Sequence, residues 1–244
     1  MQFYAGRPVE AMATGRRAEG LLGALASEFP EVPEYRDDLA RCLENRFREL
    51  RQAGRLEEAE QVGGRLVELR ERLFREQPTL PDHRDRLSGA LLLLADMHSV
   101  WPEGRYADPA RALELARRAV AIKPEDMTRQ SLGWALYRVG DWKGCIGALE
   151  KTQGYSRGGD VFAAMAHWRL GDEAVARAMF DRSVESTRVY EARWTPDTYP
   201  EPAMCRRMLA EAAALLGVGR PGGEAKPGPV PDATGPPGST GATG

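Results

Sequence analysis

The sequence predicts an all-α protein built as an array of antiparallel helix pairs, and three observations carry that prediction. First, the apolar stretch Leu132-Gly133-Trp134-Ala135-Leu136-Tyr137-Arg138-Val139 halts at Gly140-Asp141 and restarts at Trp142, and its ending returns 31 residues later in Ala166-His167-Trp168-Arg169-Leu170-Gly171-Asp172. Cys145 then answers to Ala176, Leu149 to Phe180 and Lys151 to Arg182. Second, the N-terminal half repeats at an offset of 48: Ala5-Gly6-Arg7 aligns with Ala53-Gly54-Arg55, Gly15 with Gly63, Leu21 with Leu69 and Leu25 with Leu73. Glu28-Phe29-Pro30-Glu31-Val32-Pro33-Glu34-Tyr35-Arg36-Asp37 aligns with Glu76-Gln77-Pro78-Thr79-Leu80-Pro81-Asp82-His83-Arg84-Asp85, still without a gap. Third, no stretch alternates apolar and polar residues between turn signals as a strand would. Self-similarity at such periods marks stacked helical units, each burying its apolar face on the next.

The elements follow in order. Met1 to Arg7 correspond to the tail of a first helix and its turn, so residues 1–35 are expected to form a partial unit, mostly a second helix. That helix would leave Leu21, Leu22 and Leu25 on or near an uncovered apolar edge. An upstream extension of the polypeptide, or self-association, is expected to cover it. Leu39, Leu43, Phe47 and Leu50 place an apolar stripe on a helix over Arg36 to Ala53, and Gly54 ends it. Leu56 to Glu76 is the next helix, with Ala59, Val62, Leu66, Leu69 and Leu73 on one side and Pro78 beyond its end. Arg84 to Val100 follows, then a loop from Trp101 to Arg105. Asp108-Pro109 reads as an N-cap and first-turn proline for a helix over Ala110 to Ile122. Met127–Val139, Trp142–Thr152, Asp160–Leu170 and Asp172–Thr187 complete two further pairs, so residues 36–187 hold about four units. An irregular connection over Thr195 to Pro202 and a capping helix over Ala203 to Leu216 occupy residues 188–217. Residues 218–244 are mostly Gly, Pro, Ala, Thr and Ser; such a composition buries no core, and disorder is expected.

Composition narrows the function. The formal net charge is -2, which argues against a general nucleic-acid or membrane-surface binder, since either needs a basic excess. The bases are almost all arginine, suited to pairing with the equally abundant carboxylates along helix faces. Cys42, Cys145 and Cys205 are far apart and form no CxxC, so neither a disulfide framework nor a zinc site is expected. Met1 to Gly20 holds no signal-peptide core, and the longest apolar run, Ala90 to Ala95, is far too short to cross a bilayer. A cytoplasmic protein is expected.

Two motifs tempt and fail on context. His83-Arg84-Asp85-Arg86-Leu87 spells the opening of a kinase catalytic loop, but Ala90 stands where a metal-binding Asn is needed and no Asp-Phe-Gly follows. Gly217-Val218-Gly219-Arg220-Pro221-Gly222 has the letters of a dinucleotide fingerprint, yet it follows a predicted helix and opens a tail. The histidines His83, His98 and His167 each stand alone on a helix. No catalytic, cofactor or metal residues are therefore assigned, and the chain is expected not to be an enzyme.

The units resemble tetratricopeptide repeats. Leu132-Gly133, Leu136, Gly140-Asp141 and Leu149 carry the likeness in one unit, and Ala163-Ala164, Gly171-Asp172, Ala176, Phe180 and Ser183 carry it in the next. Ala112, Ala116, Ala119 and Pro124 carry it in the second helix before them. The 48-residue units resemble long-repeat arrays in large multidomain bacterial proteins, which often follow a kinase domain or a β-propeller. The resemblance implies a right-handed solenoid and a non-enzymatic scaffold that holds a partner peptide or helix on its concave face. The alternative is a regulatory C-terminal segment of a larger signalling protein such as a bacterial Ser/Thr kinase. Carried over by position, the inner face holds Arg41, Glu44, Arg48 and Arg51, then Leu92 and Asp96, then Gln130, Trp134, Tyr137 and Arg138, then Val161, Met165, Trp168 and Arg169. Arg48, Arg51, Gln130, Trp134, Tyr137, Arg138, Met165, Trp168 and Arg169 are the expected partner contacts, because aromatics and arginines commonly anchor interfaces. The aromatics also suit packing between helices, which would take them out of reach. The asparagine and lysine set by which some members clamp a terminal carboxylate is absent, since Asn45 is the single asparagine. The partner is expected to be a protein, with no nucleic acid, membrane or cofactor.

Overall fold

A computed structural model describes residues 8–101, 107–152, 159–193 and 202–219. The expected first-helix tail at 1–7, most of the Trp101–Arg105 loop, the connection at 195–201 and nearly all of the Gly/Pro-rich tail lie outside the described residues. The described chain is α-helical without strands: α1 (Pro8–Glu28), α2 (Pro33–Gln52), α3 (Leu56–Glu76), α4 (Pro81–Val100), α5 (Pro109–Ile122), α6 (Asp126–Arg138), α7 (Trp142–Leu149), α8 (Gly159–Leu170), α9 (Glu173–Glu191) and α10 (Pro202–Leu216).

Sequence punctuation sets these boundaries. Pro33, Pro81 and Pro109 each sit in a first turn, where the missing amide hydrogen costs nothing. Asp108 and Asp141 cap α5 and α7 by accepting from the amides of Arg111 and Gly144, both at 2.8 Å. Three of the helices, α2, α6 and α8, close with one device. Gly54, Gly140 and Gly171 take φ of 72°, 82° and 91°, which only glycine adopts freely. The residue after each donates back to the helix: Arg55 to Leu50 at 2.9 Å, Asp141 to Leu136 at 3.0 Å and Asp172 to His167 at 2.9 Å. The Gly-Asp and Gly-Arg pairs read from the repeats are thus one left-handed cap made three times.

Each helix packs on its chain neighbours, and the first helices also stack on one another, α4 on α6, α6 on α8 and α8 on α10. The result is an all-α helical-repeat solenoid. Small residues mark the close crossings. A Cβ on Gly133 of α6 would lie 2.6 Å from Leu149 Cγ of α7, and one on Gly63 of α3 would lie 2.9 Å from Leu94 Cδ1 of α4 and Phe47 of α2. Apolar burial forms two clusters, one from Leu39 to Ala135 and one from Val100 to Leu216, with Trp101, Leu113 and Leu132 against both.

A charge ladder follows the 48-residue repeat. Asp37 of α2 pairs with Arg70 of α3 at 2.5 Å and Arg86 of α4 at 2.7 Å, while Asp85, its counterpart, takes Lys123 at 3.2 Å. Glu19 of α1 holds Arg46 and Arg65. Four boundaries differ from the sequence reading by three residues or more. α2 and α4 begin at Pro33 and Pro81, three residues before Arg36 and Arg84, because each proline opens a first turn rather than closing a loop. α7 stops at Leu149 rather than Thr152, and Thr152 caps the turn by donating its hydroxyl to the Leu149 carbonyl at 2.6 Å. α9 continues to Glu191, four residues past Thr187, because no glycine or proline interrupts it.

Candidate functional site

The predicted inner-face residues lie on the first helices α2, α4, α6 and α8 and meet different surroundings. Trp134 is 1% exposed, stacks on Phe162 at 5.4 Å between centroids and has no hydrogen-bond partner on Nε1. Tyr137 meets the same Phe162 edge-on at 5.5 Å, and Met165 is fully buried. These three side chains pack α6 against α8 and offer a partner almost no area. The reason is geometric: Leu-Gly in α6 lets the neighbouring helices approach closely, so the large residues beside Gly133 are enclosed. Gln130 is also buried. Trp168 is half-buried under the Arg177 guanidinium at 5.0 Å, and Arg169 is exposed. Arg169 donates to the Tyr137 hydroxyl, which opposes the upward push that burial gives the Tyr137 pKa.

The remaining predicted arginines lead to the C-terminal end of α4. A helix end leaves carbonyls without partners and carries a partial negative charge, so cations gather there. Arg138 of α6 donates Nε to the Ser99 carbonyl and its two terminal nitrogens to the Glu211 carboxylate of α10, one of these at 2.6 Å. Its side chain is 8% exposed and lies over Tyr137 and Phe162. Arg207 of α10 donates to the Val100 carbonyl at 3.1 Å. Trp101, just beyond α4, sits between the guanidiniums of Arg51 from α2 at 5.7 Å and Arg207 from α10 at 5.9 Å. Arg51 is itself 3% exposed. This half of the first-helix face is therefore covered by the chain's own α10. The pairing of Arg207 and Glu211, four residues apart on one helix face, was the sequence signal for it; their partners, far upstream, left none.

The other half is open. Between α2, α4 and the start of α6 lies a cavity of about 110 Å³ lined by Arg48, Asp85, Ser88, Gly89, Leu92, Leu93, Glu125 and Met127. Gly89 lines it without a side chain, and a Cβ there would meet nothing within 4 Å. The counterpart one repeat earlier is Arg41, an exposed side chain paired with Asp38 at 2.9 Å. Arg48 stands on one rim, tied within α2 to Glu44 at 2.7 Å. Asp85 and Glu125 stand near Lys123, which pairs with them at 3.2 and 3.0 Å. The floor is apolar and the rim is charged on both sides. Sequence reasoning found Arg48 and Leu92 here and missed Gly89 and Met127, because a glycine inside a helix reads only as a weak helix former.

Reactive groups elsewhere are quiet. Cys145 is fully buried at the α7–α8 crossing, and burial, with Asp141 nearby, pushes its thiol up to about 12. His167 lies 3.1 Å from Asp172, and His83 lies 3.2 Å from Gln77. Among the described residues, no group of three His, Cys, Asp or Glu is placed to hold a metal, and no helix is long and apolar enough to cross a membrane.

No protein-family profile matches the chain, and no curated protein matches it. Among solved structures, the chain is similar to the crystal structure of a thermophilic TPR protein from Thermus thermophilus. The two are 19% identical, the alignment covers 87% of this chain and 94% of that one, and the TM-score is 0.44.

Proposed function

We propose that this chain is a non-enzymatic scaffold that holds a segment of a protein partner on the first-helix face, in the open half between α2, α4 and α6. The cavity at Gly89 carries the reading. It is the size of one aliphatic side chain, its floor is Leu92, Leu93 and Met127, and its rim offers Arg48 on one side and Asp85 and Glu125 on the other. That arrangement suits a peptide that inserts one apolar residue and carries flanking charges of both signs, with the apolar contact supplying affinity and the charges fixing direction. Of the expected partner contacts, Arg48 belongs to this half. Trp168 and Arg169 remain reachable at the edge of the covered half.

A displayed library of peptides about 15 residues long, selected on the immobilised chain, tests this. The best binder is titrated against the unaltered protein and against Gly89→Phe, which fills the cavity, and Leu92→Lys, which places a charge in its floor. The expected result is a loss of affinity of about tenfold or more for both, since a filled or charged apolar pocket forfeits one anchor residue. Equal binding by all three proteins would move the site off this face.

A further inference from the structure

We infer that α10 occupies a helix-binding site in cis: the covered half of the first-helix face accepts an amphipathic helix with an apolar stripe and a carboxylate set against Arg138. This extends the proposed reading from the open half of the face to the covered one.

Three observations carry it. α10 stacks on α8 and α9 as a further first helix would, and beyond that it reaches back to α4. Its contacts are those of a docked amphipathic helix: Met204, Met208 and Ala212 recur every fourth residue, Leu209 and Leu216 lie beside them, and all are at most 5% exposed. Its polar anchoring is charge-complementary to the face. Glu211 takes two donors of Arg138, and Arg207 meets the Val100 carbonyl and the Trp101 ring. Arg138 is held in place independently of α10 by the Ser99 carbonyl and by the rings of Tyr137 and Phe162. The receptor side is thus assembled by α8, α9 and the end of α4, with Arg138 reaching in from α6, and α10 supplies the ligand side. A partner helix that reproduces the stripe and the carboxylate would compete for the same place.

Two measurements on the full chain test this. Hydrogen exchange read by mass spectrometry should show the amides of Met204–Leu216 exchanging at least about tenfold faster than those of Val161–Arg169, because α10 opens while α8 stays folded. Exchange of both segments at one rate overturns the inference. Next, a fluorescein-labelled peptide of the Pro202–Leu216 sequence is titrated by anisotropy against the full chain carrying Met208→Ala and Glu211→Ala, which weakens the helix held in cis. It should bind this variant at least about tenfold more tightly than the unaltered chain, whose site is filled. A peptide with Glu211→Ala should bind about tenfold more weakly than the unaltered peptide, as expected for a lost charged hydrogen-bonded pair. Absence of peptide binding to the double variant overturns the inference. So does loss of its far-UV helical signal, which would make α10 a member of the core. The library peptide of the open half and this peptide probe different residues, so the two readings fail separately.

Discussion

Arg138 joins three helices through one guanidinium, so its replacement tests what the join contributes. Arg138→Ala would leave the Ser99 carbonyl and the Glu211 carboxylate without that partner. A destabilisation of about 2 kcal/mol is expected in urea unfolding, the range for a hydrogen bond to a charged group. Arg138→Lys should recover less than half of it, because an ammonium cannot grip a carboxylate with two nitrogens and a carbonyl with a third. Glycines of one sequence type separate by environment. Gly133→Ala pushes a methyl into Leu149 at 2.6 Å and should cost about 1–3 kcal/mol, while Gly147→Ala in α7 meets nothing within 4 Å and should add about 0.5–1 kcal/mol, both by the same unfolding assay. The Cys145 thiol, pushed up to about 12, is protonated at neutral pH and enclosed. It should react with a thiol reagent only as the chain unfolds, which stopped-flow absorbance during denaturation would record.

At the scale of one helix, α8 carries a titration. Burial raises the carboxyl of Asp160 above its ordinary value, against the pull of Arg182. The folded state therefore binds a proton more readily than the unfolded chain there, so this group lowers stability as pH rises through its folded value. Asp160→Asn should raise the melting temperature at pH 7, with the gain vanishing below about pH 4, where both states hold the proton. The helices themselves were legible in the sequence because most of their ends are written locally: Pro109 in a first turn, Asp before α5 and α7, and Gly at the left-handed caps; Pro33 and Pro81, which open α2 and α4, were read as loop. The span of α3 was readable residue for residue, since Gly54-Arg55 and Pro78 bracket it. The end of α9 was not, because it depends on how far tertiary contacts carry a helix that no residue stops. Nor was the covering of Trp134. Its spacing on α6 marks a side of the helix, and only the position of α8 decides that this side is closed.

At the scale of the molecule, two periods meet. The 48-residue units have long second helices tied by the Asp37 and Asp85 ladders, and the 31-residue units are tied by close crossings such as Gly133 on Leu149. The chain changes from one to the other at α6, which is where the two apolar clusters touch. The open and covered halves of the first-helix face divide at the same helix: Met127 at its start looks into the cavity, and Arg138 at its end is held by α10. This division was hidden from sequence reasoning, which treated the face as continuous from Arg48 to Arg169. Periodicity reports which residues share a side, and it carries no information on a distant segment that folds back over them. Melting followed by near-ultraviolet circular dichroism should show Gly89→Phe unchanged within about 0.5 kcal/mol, as for a substitution away from packed features, while it loses the selected peptide's affinity by about tenfold or more.

The caps on the end of α4 also have an order in time. Val100 and Arg207 are separated by 107 residues. At a synthesis rate of about 5–20 residues per second, α4 waits roughly 5–20 s on the ribosome before the arginine that closes its last carbonyl is made. Through that interval the end of α4 and the Trp101 ring lack both α10 and its charge. The rest of the site is complete only once α8 and α9 have followed, so it stands assembled and vacant only until α10, the next helix, is made.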